Sequence, residues 1–161
     1  MPLLVTLCDR VSVLLAMIAA ALLAVAAAIV TWMVFYRALG NSAYWEIEFA
    51  VYLMVGTVFL AAPYGAMTKG HVGVDLLTEF TPPGAARAIA FTTAVISAAV
   101  CLYLAAIGWE LTVHAFRSGE TGESMWRPVK WPLYAAMPLG MGFTCLQYLA
   151  EAAKIAGGRA R

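Results

Sequence analysis

Four long stretches of this sequence contain no Asp, Glu, Lys or Arg, and they constrain the fold more than any other feature. Each has about 20 residues or slightly more, which is the length that an α-helix needs to cross a hydrocarbon core of roughly 30 Å. The stretches cover residues 11–36, 49–68, 88–109 and 131–150. We therefore predict an all-α integral membrane protein with four transmembrane helices.

The composition agrees with this and leaves little of the chain for anything else. Of the 161 residues, 63% are apolar and 12% are charged, whereas a soluble domain has about 25% charged residues. Mean hydropathy is +0.84. We expect a single four-helix transmembrane domain over residues 1–161, with spans at about 11–36, 46–68, 84–112 and 131–154.

The first apolar run is expected to be a retained helix rather than a cleaved signal peptide. It is longer than the roughly 7–15 residues of a signal-peptide core. Asp9 also stands beside Arg10 in the segment that leads into it.

Basic residues indicate the orientation of the four spans. The side that holds both termini and the central connection carries Arg10, Lys69, Arg87, Lys154, Arg159 and Arg161. The other side carries Arg37, Arg117, Arg127 and Lys130. By the positive-inside rule, the larger set places both termini in the cytoplasm.

Alanine recurs at four-residue spacing in two of the predicted helices. Residues four apart share one face of a helix, and small side chains let helices approach closely in lipid. We expect these ridges to pack against helices of this chain or of a partner; the alternative is that any membrane helix tolerates alanine. The ridges are Ala16, Ala20, Ala24 and Ala28 in helix one, and Ala86, Ala90, Ala94 and Ala98 in helix three.

Motifs for catalysis and cofactor binding are missing from the sequence. It contains no P-loop, GxGxxG or HExxH pattern, and Cys8, Cys101 and Cys145 are too widely spaced for a metal site. The two histidines, His71 and His114, fall at opposite ends of the bilayer, so one chain cannot supply both ligands of a bis-histidine haem. We expect no enzyme activity and no cofactor.

Two pairs of polar residues flank the predicted helices. Glu46 and Glu48 point about 200° apart on a helix; they complement its positive end for about 0.3–1 kcal/mol, or one of them faces a partner or Arg37. Glu110 and His114 lie one turn apart, with Arg117 a turn further, and we expect the three to form an ion-pair ladder at the membrane edge. In an autonomous small transporter or redox module, the alternative, this pair would be the working residues.

The connection between helices two and three carries its own signal. Lys69, His71 and Asp75 surround two glycines, and Val74 and Leu77 would give a short helix an apolar side. We predict a turn at the membrane surface followed by a short interfacial helix.

The order of these features resembles a known family. An arginine closes helix one, and a tryptophan with the acidic pair opens helix two. GAMTKGHVGVD follows helix two, and GESMWRPVKWPLYAAMPLGMGFTCLQYL runs from the next connection through helix four. Over about residues 10–150 the chain resembles the small membrane subunit, the DctQ-type component, of the tripartite ATP-independent periplasmic transporters.

The resemblance implies a non-catalytic scaffold subunit of an ion-gradient-driven importer of organic anions such as carboxylates. Its setting would be the bacterial inner membrane, as a multi-pass protein. The implied partners are a large multi-helix membrane subunit, a periplasmic solute-binding protein and membrane lipid, with no nucleic acid. The motif residues, expected to serve the partner interface or the fold, are Arg37, Trp45, Glu46, Glu48, Gly70, His71, Asp75, Gly122, Glu123, Ser124, Pro138 and Gly140.

Overall fold

Four α-helices make up the computed structural model, which describes residues 2–68 and 83–156. In chain order they are α1 (Pro2–Ala38), α2 (Glu46–Met67), α3 (Pro83–Ser118) and α4 (Trp131–Ala156). Within these two segments the chain forms no sheet, and Thr121 and Val129 make an isolated β-bridge. The all-helical prediction is confirmed for this part of the chain. The predicted interfacial helix lies outside it.

Three of these helices are long and apolar enough to cross a membrane. They are α1 from Thr6, α2, and α3 from Gly84. Helix α4 is also long, but it is less apolar because prolines, glycines and polar residues interrupt it. Its place in the fold explains this composition, since α4 packs against all three other helices and shows less of its surface to lipid.

The helices form a row rather than a closed four-helix bundle. Helix α1 packs on α2, α2 packs on α4, and α4 packs on α3, with a smaller contact between α1 and α4. Among the described residues, α3 packs against neither α1 nor α2. The α1–α2 and α3–α4 connections lie at the same end of the helix axes, which we call the loop end. Within residues 2–68 and 83–156, the row leaves broad helix faces of α1 and α3 without a partner.

Small residues at seven-residue spacing form the packing seams. A seven-residue repeat keeps a seam facing its neighbour when two helices supercoil left-handedly, and small side chains allow the backbones to come close. The buried residues of the α1 seam are Ser12, Ala19, Ala26 and Met33. Those of the α3 seam are Ala94, Cys101, Gly108 and Ala115.

The two predicted alanine ridges have different outcomes. On α3, Ala94 and Ala98 are buried against α4, as expected. On α1 the ridge is not the packing face within this chain, because Ala20, Ala24 and Ala28 are exposed. The α1–α2 contact follows the seven-residue seam, and in an alanine-rich helix either face is smooth enough to pack.

The cysteines behave as packing residues. Cys101 and Cys145 are buried with Ala98 at the α3–α4 contact, and Met141 and Tyr148 pack around them. All three cysteines are free thiols. Cys101 and Cys145 thus serve as small apolar residues of the helix contact.

Helices α2 and α4 approach each other closely at Gly140. Pro63, buried inside α2, has no N–H, so the carbonyl of Phe59 four residues earlier loses its usual intrahelical partner. Gly140 faces this carbonyl so closely that an added Cβ would lie within 3.0 Å of backbone atoms of Phe59. The Cα–H of the glycine therefore points at the carbonyl oxygen, a contact that recurs where helices pack closely.

A second proline–glycine pair joins α3 to α4. At Gly108 an added Cβ would lie 2.9 Å from the ring of Pro138 and 3.0 Å from the side chain of Met137. Glycine is therefore needed where the proline ring of α4 enters the α3 surface. Pro138 and Gly140, both named by the family motif, thus lie at two close helix contacts.

Candidate functional site

The family-motif residues that are described meet mainly at the start of α2. Glu46 is the first residue of the helix, and its carboxylate accepts a hydrogen bond from the backbone N–H of Trp45 at 3.0 Å. The residue is 6% exposed. This bond satisfies one N–H at the helix start, and the negative charge complements the positive helix end. Glu46 therefore has a local role in the helix start.

Glu48 has a different partner, as its position about 200° around the helix predicts. Its carboxylate accepts a hydrogen bond of 2.5 Å from the hydroxyl of Ser124, 76 residues away in the α3–α4 connection. Hydrogen bonds to an ionised acceptor are short and strong. The bond therefore ties the connection, residues 119–130, to the start of α2; we call the docked connection the loop cap.

Gly122 lets the loop cap turn over Glu48. Its N–H donates to the carbonyl of Pro128 at 2.8 Å, and the N–H of Lys130 donates to the carbonyl of Glu120 at 3.0 Å. An added Cβ on Gly122 would lie 2.9 Å from the ring of Pro128 and 3.5 Å from a Glu48 carboxylate oxygen. Glycine is the residue that leaves room for both neighbours.

Aromatic packing adds to the docking of the loop cap. The ring of Trp126 lies 6.3 Å from that of Trp45 and 6.2 Å from that of Phe49, centroid to centroid. The hydroxyl of Tyr52 donates to the carbonyl of Val129 at 3.1 Å. Arg127, the next residue, has a positive φ of 47°. Sequence reasoning did not identify this three-ring cluster.

An ion pair joins the two ends of the loop cap. The ammonium group of Lys130 lies 2.8 Å from a carboxylate oxygen of Glu120. The hydrogen bond to Glu120 raises the pKa of Lys130 above its ordinary value of 10.5. Because folding raises the pKa of Lys130, the ion pair contributes its full stability at any pH well below 10.5. That contribution is lost as the pH rises through the raised pKa. Lys130 is thus fully charged at neutral pH.

The other predicted site residues lie elsewhere. Arg37 is exposed at the end of α1, and in the described part of the chain it forms no ion pair with either acid of α2. Glu123 is exposed on the loop cap. Gly70, His71 and Asp75 fall outside the described residues. The structure therefore gathers Trp45, Glu46, Glu48, Gly122 and Ser124, and it separates Arg37 from them.

A polar network lies at the end of the helices opposite the loop end, and it was not singled out from the sequence. Gln147 of α4 is 2% exposed. Its amide N–H donates to the carboxylate of Asp9 at 2.7 Å, and its oxygen accepts from the hydroxyl of Ser12 at 3.3 Å. Lys154 approaches the other Asp9 oxygen at 3.6 Å. A glutamine inside an apolar run was the signal that could have indicated this link between α1 and α4.

Arg87 joins the start of α3 to the end of α4. Its guanidinium donates to the carbonyl of Ile155 at 2.7 and 3.0 Å and to that of Ala156 at 3.0 Å. These carbonyls have no partner within the helix, and a cation at a helix C-terminus is favourable. Arg87 therefore fixes two helix ends together. From sequence it had counted only as one of the basic residues that set the orientation.

The bond between Glu48 and Ser124 can be tested by trypsin cleavage after Lys130. We expect Glu48→Ala and Ser124→Ala each to accelerate that cleavage, because a hydrogen bond to a charged group contributes about 1.5–3 kcal/mol. The double variant should be cleaved little faster than either single one. Glu123→Ala, at an exposed neighbour, is the control and should leave the rate unchanged. Fully additive effects of the two substitutions would contradict the bond.

Comparisons with known proteins agree with the order of motifs in the chain. A family model described as tripartite ATP-independent periplasmic transporters, DctQ component, matches residues 26–157. The C4-dicarboxylate TRAP transporter small permease protein DctQ of Rhodobacter capsulatus is 26% identical over 110 residues, which cover 68% of this chain and 48% of that protein. The chain thus spans about half the length of this curated relative. This is a family of transporters rather than of enzymes.

The family match begins inside α1 and ends at the residue after α4, so it includes the loop cap, both proline–glycine contacts and the second half of the α1 seam. Together with three helices able to cross a membrane, it makes the protein a membrane transporter subunit. Since the match covers well over half of the sequence, the chain belongs to the DctQ-component family of the tripartite ATP-independent periplasmic transporters.

Proposed function

We propose that this chain is the non-catalytic small permease subunit of an ion-gradient-driven, binding-protein-dependent importer of organic anions such as carboxylates. The observation that carries the proposal is the family match over residues 26–157. The relative from Rhodobacter capsulatus is named for C4-dicarboxylate transport, which supports carboxylates as the solute class. A large membrane subunit holds the transport site, and a periplasmic binding protein delivers the solute.

A scaffold role is supported by how the helices are held. Close contacts at two glycines, an arginine across the ends of α3 and α4, and a buried glutamine between α1 and α4 fix the row of helices. Such contacts favour one rigid arrangement over a moving one. The uncovered faces of the row are where a larger membrane subunit packs.

The loop cap supplies the surface for the binding protein in this proposal. Trp45, Glu48 and Ser124 act within the chain and hold the cap on α2, whereas Glu46 acts at the start of α2 itself. Arg37 and Glu123 are exposed at the loop end and are available to a docking partner or to lipid headgroups. The motif thus combines residues that build the cap with residues that face outward.

The proposed topology has four spans in the bacterial inner membrane, with both termini in the cytoplasm and the loop cap in the periplasm. The excess of basic residues on the terminal side supports this orientation. Alkaline phosphatase fused within residues 119–130 should be active, and green fluorescent protein fused after Arg161 should fluoresce. An active phosphatase fusion after Arg161 would contradict the topology.

Uptake by reconstituted vesicles tests the function. Vesicles with this chain, its large membrane subunit and added binding protein should accumulate labelled C4-dicarboxylate or another carboxylate under an imposed sodium gradient. Omitting this chain should reduce uptake to background, because the large subunit then lacks its scaffold. Uptake by this chain alone would contradict the proposal and favour an autonomous transporter.

A further inference from the structure

One polar strip on α3 has no role in the fold described above. Glu110, His114 and Arg117 are all exposed, and in the described residues none of them forms a hydrogen bond or an ion pair. They border a shallow depression with Trp109 and Val113. The sequence predicted an ion-pair ladder among the three, and the structure does not form it.

The strip points away from the rest of the chain. Helix α3 packs on α4 through Gly108 and its seam. At 3.6 residues per turn, Glu110 and Arg117 lie about 200° and 180° around the helix from this glycine. The strip is therefore on the face opposite α4, where no other described element of the chain lies.

The depth of the strip makes an unpaired carboxylate unfavourable there. Arg87 and Arg117 are about 45 Å apart along α3, which matches a bilayer of about 40–45 Å with its headgroup layers. Glu110 lies about 10 Å inside the level of Arg117, at the edge of the hydrocarbon core. Charged residues at such positions face protein or water and mark functional surfaces.

We propose that this strip is the contact through which α3 binds the large membrane subunit, with Glu110 accepting a hydrogen bond or ion pair from a donor side chain of that subunit. The inference rests on the proposed function, since it needs that subunit to exist. A binding protein outside the membrane cannot reach this depth. The large subunit, which spans the bilayer, can.

The order of the charges along the strip argues against two other binding partners, a lipid headgroup and a second copy of the chain. An anionic lipid phosphate at the headgroup level would suit Arg117 but would leave Glu110, about 10 Å deeper, without a partner. A second copy of the chain, related by a two-fold axis along the membrane normal, would place Glu110 at the depth of the other Glu110 and Arg117 at that of the other Arg117. Like charges would then face each other. A different protein with a donor at the depth of Glu110 fits all three residues.

The variant Glu110→Leu distinguishes a side chain that faces lipid from one that binds the large subunit. If the side chain faces lipid, leucine improves its surroundings and leaves the complex intact. If it binds the large subunit, we expect the variant to express normally but to retain about tenfold less of that subunit after affinity purification, as loss of one paired polar group predicts. His114→Ala should lower retention in the same direction. Leu111→Ala, at an exposed neighbour outside the strip, is the matched control.

A photoreactive benzoylphenylalanine at Ala106, one turn deeper on the same face, identifies the neighbour directly. An adduct with the large subunit is expected. An adduct with a second copy, or normal retention of the large subunit by both variants, would overturn the inference and leave the proposed function standing. Failure of the unmodified chain to bind the large subunit would instead overturn the proposed function.

Discussion

Gly140→Ala is expected to destabilise the protein by about 3 kcal/mol, at the upper end of the range for overpacking a tight contact. The added methyl group would overlap the backbone of Phe59, and a backbone cannot move aside as a flexible side chain can. Helices α2 and α4 would have to separate along their contact. The measurement is the temperature at which half of the detergent-purified protein loses its monodisperse peak in size-exclusion chromatography.

Gly142→Ala is the matched control for this prediction. It lies two residues further along α4, where an added Cβ meets nothing within 4 Å. We expect its unfolding temperature to stay close to that of the unmodified chain. Gly108→Ala should fall between the two, because one of its neighbours is the flexible side chain of Met137. Equal stability of the Gly140 and Gly142 variants would show that α2 and α4 are not in close contact.

Trp126→Ala is expected to release the loop cap from α2. The substitution removes two aromatic pairs, each contributing about 0.5–1.5 kcal/mol beyond burial. Because Trp126 is 43% exposed, we expect less than the full cost of losing a core tryptophan, about 2 kcal/mol in all. Trypsin cleavage after Lys130 should become about tenfold faster or more, since cleavage follows the population of the open form.

Met125→Ala is the control for the loop cap. Met125 is the neighbouring residue and is 85% exposed, so its loss should leave the cleavage rate unchanged. The helices should remain intact in both variants, and circular dichroism can confirm this. If both variants are cleaved at the same rate as the unmodified chain, Trp126 does not hold the cap.

The sequence was sufficient to predict four helices, but α1 begins at Pro2 rather than near residue 11, and α3 ends at Ser118 rather than near residue 112. The reason is that the length of an apolar run, measured against the thickness of a bilayer, depends on composition alone. Packing surfaces were harder to predict. On α1 both Ala20 and Ala26 belong to smooth faces, and only the contact with α2 decides that Ala26 is buried.

For the candidate site too, the sequence predicted some features and not others. The residue pattern alone showed that Glu46 and Glu48 must act separately, because two residues on a helix diverge by about 200°. It could not show that Glu48 binds Ser124 or that Gln147 binds Asp9. These partners are distant in sequence, and one sequence carries no information on which distant residues the fold brings together.

By itself, the sequence determined that the chain is a helical membrane protein, and the order of its motifs determined the resemblance to the DctQ family. Both depend on local features: apolar runs, turn residues and short motifs. Only the tertiary structure decided the row order of the helices, the need for glycine at 108, 122 and 140, and the isolation of Glu110 on the outer face of α3. Each of these depends on which surfaces meet, and that is fixed by packing between distant parts of the chain.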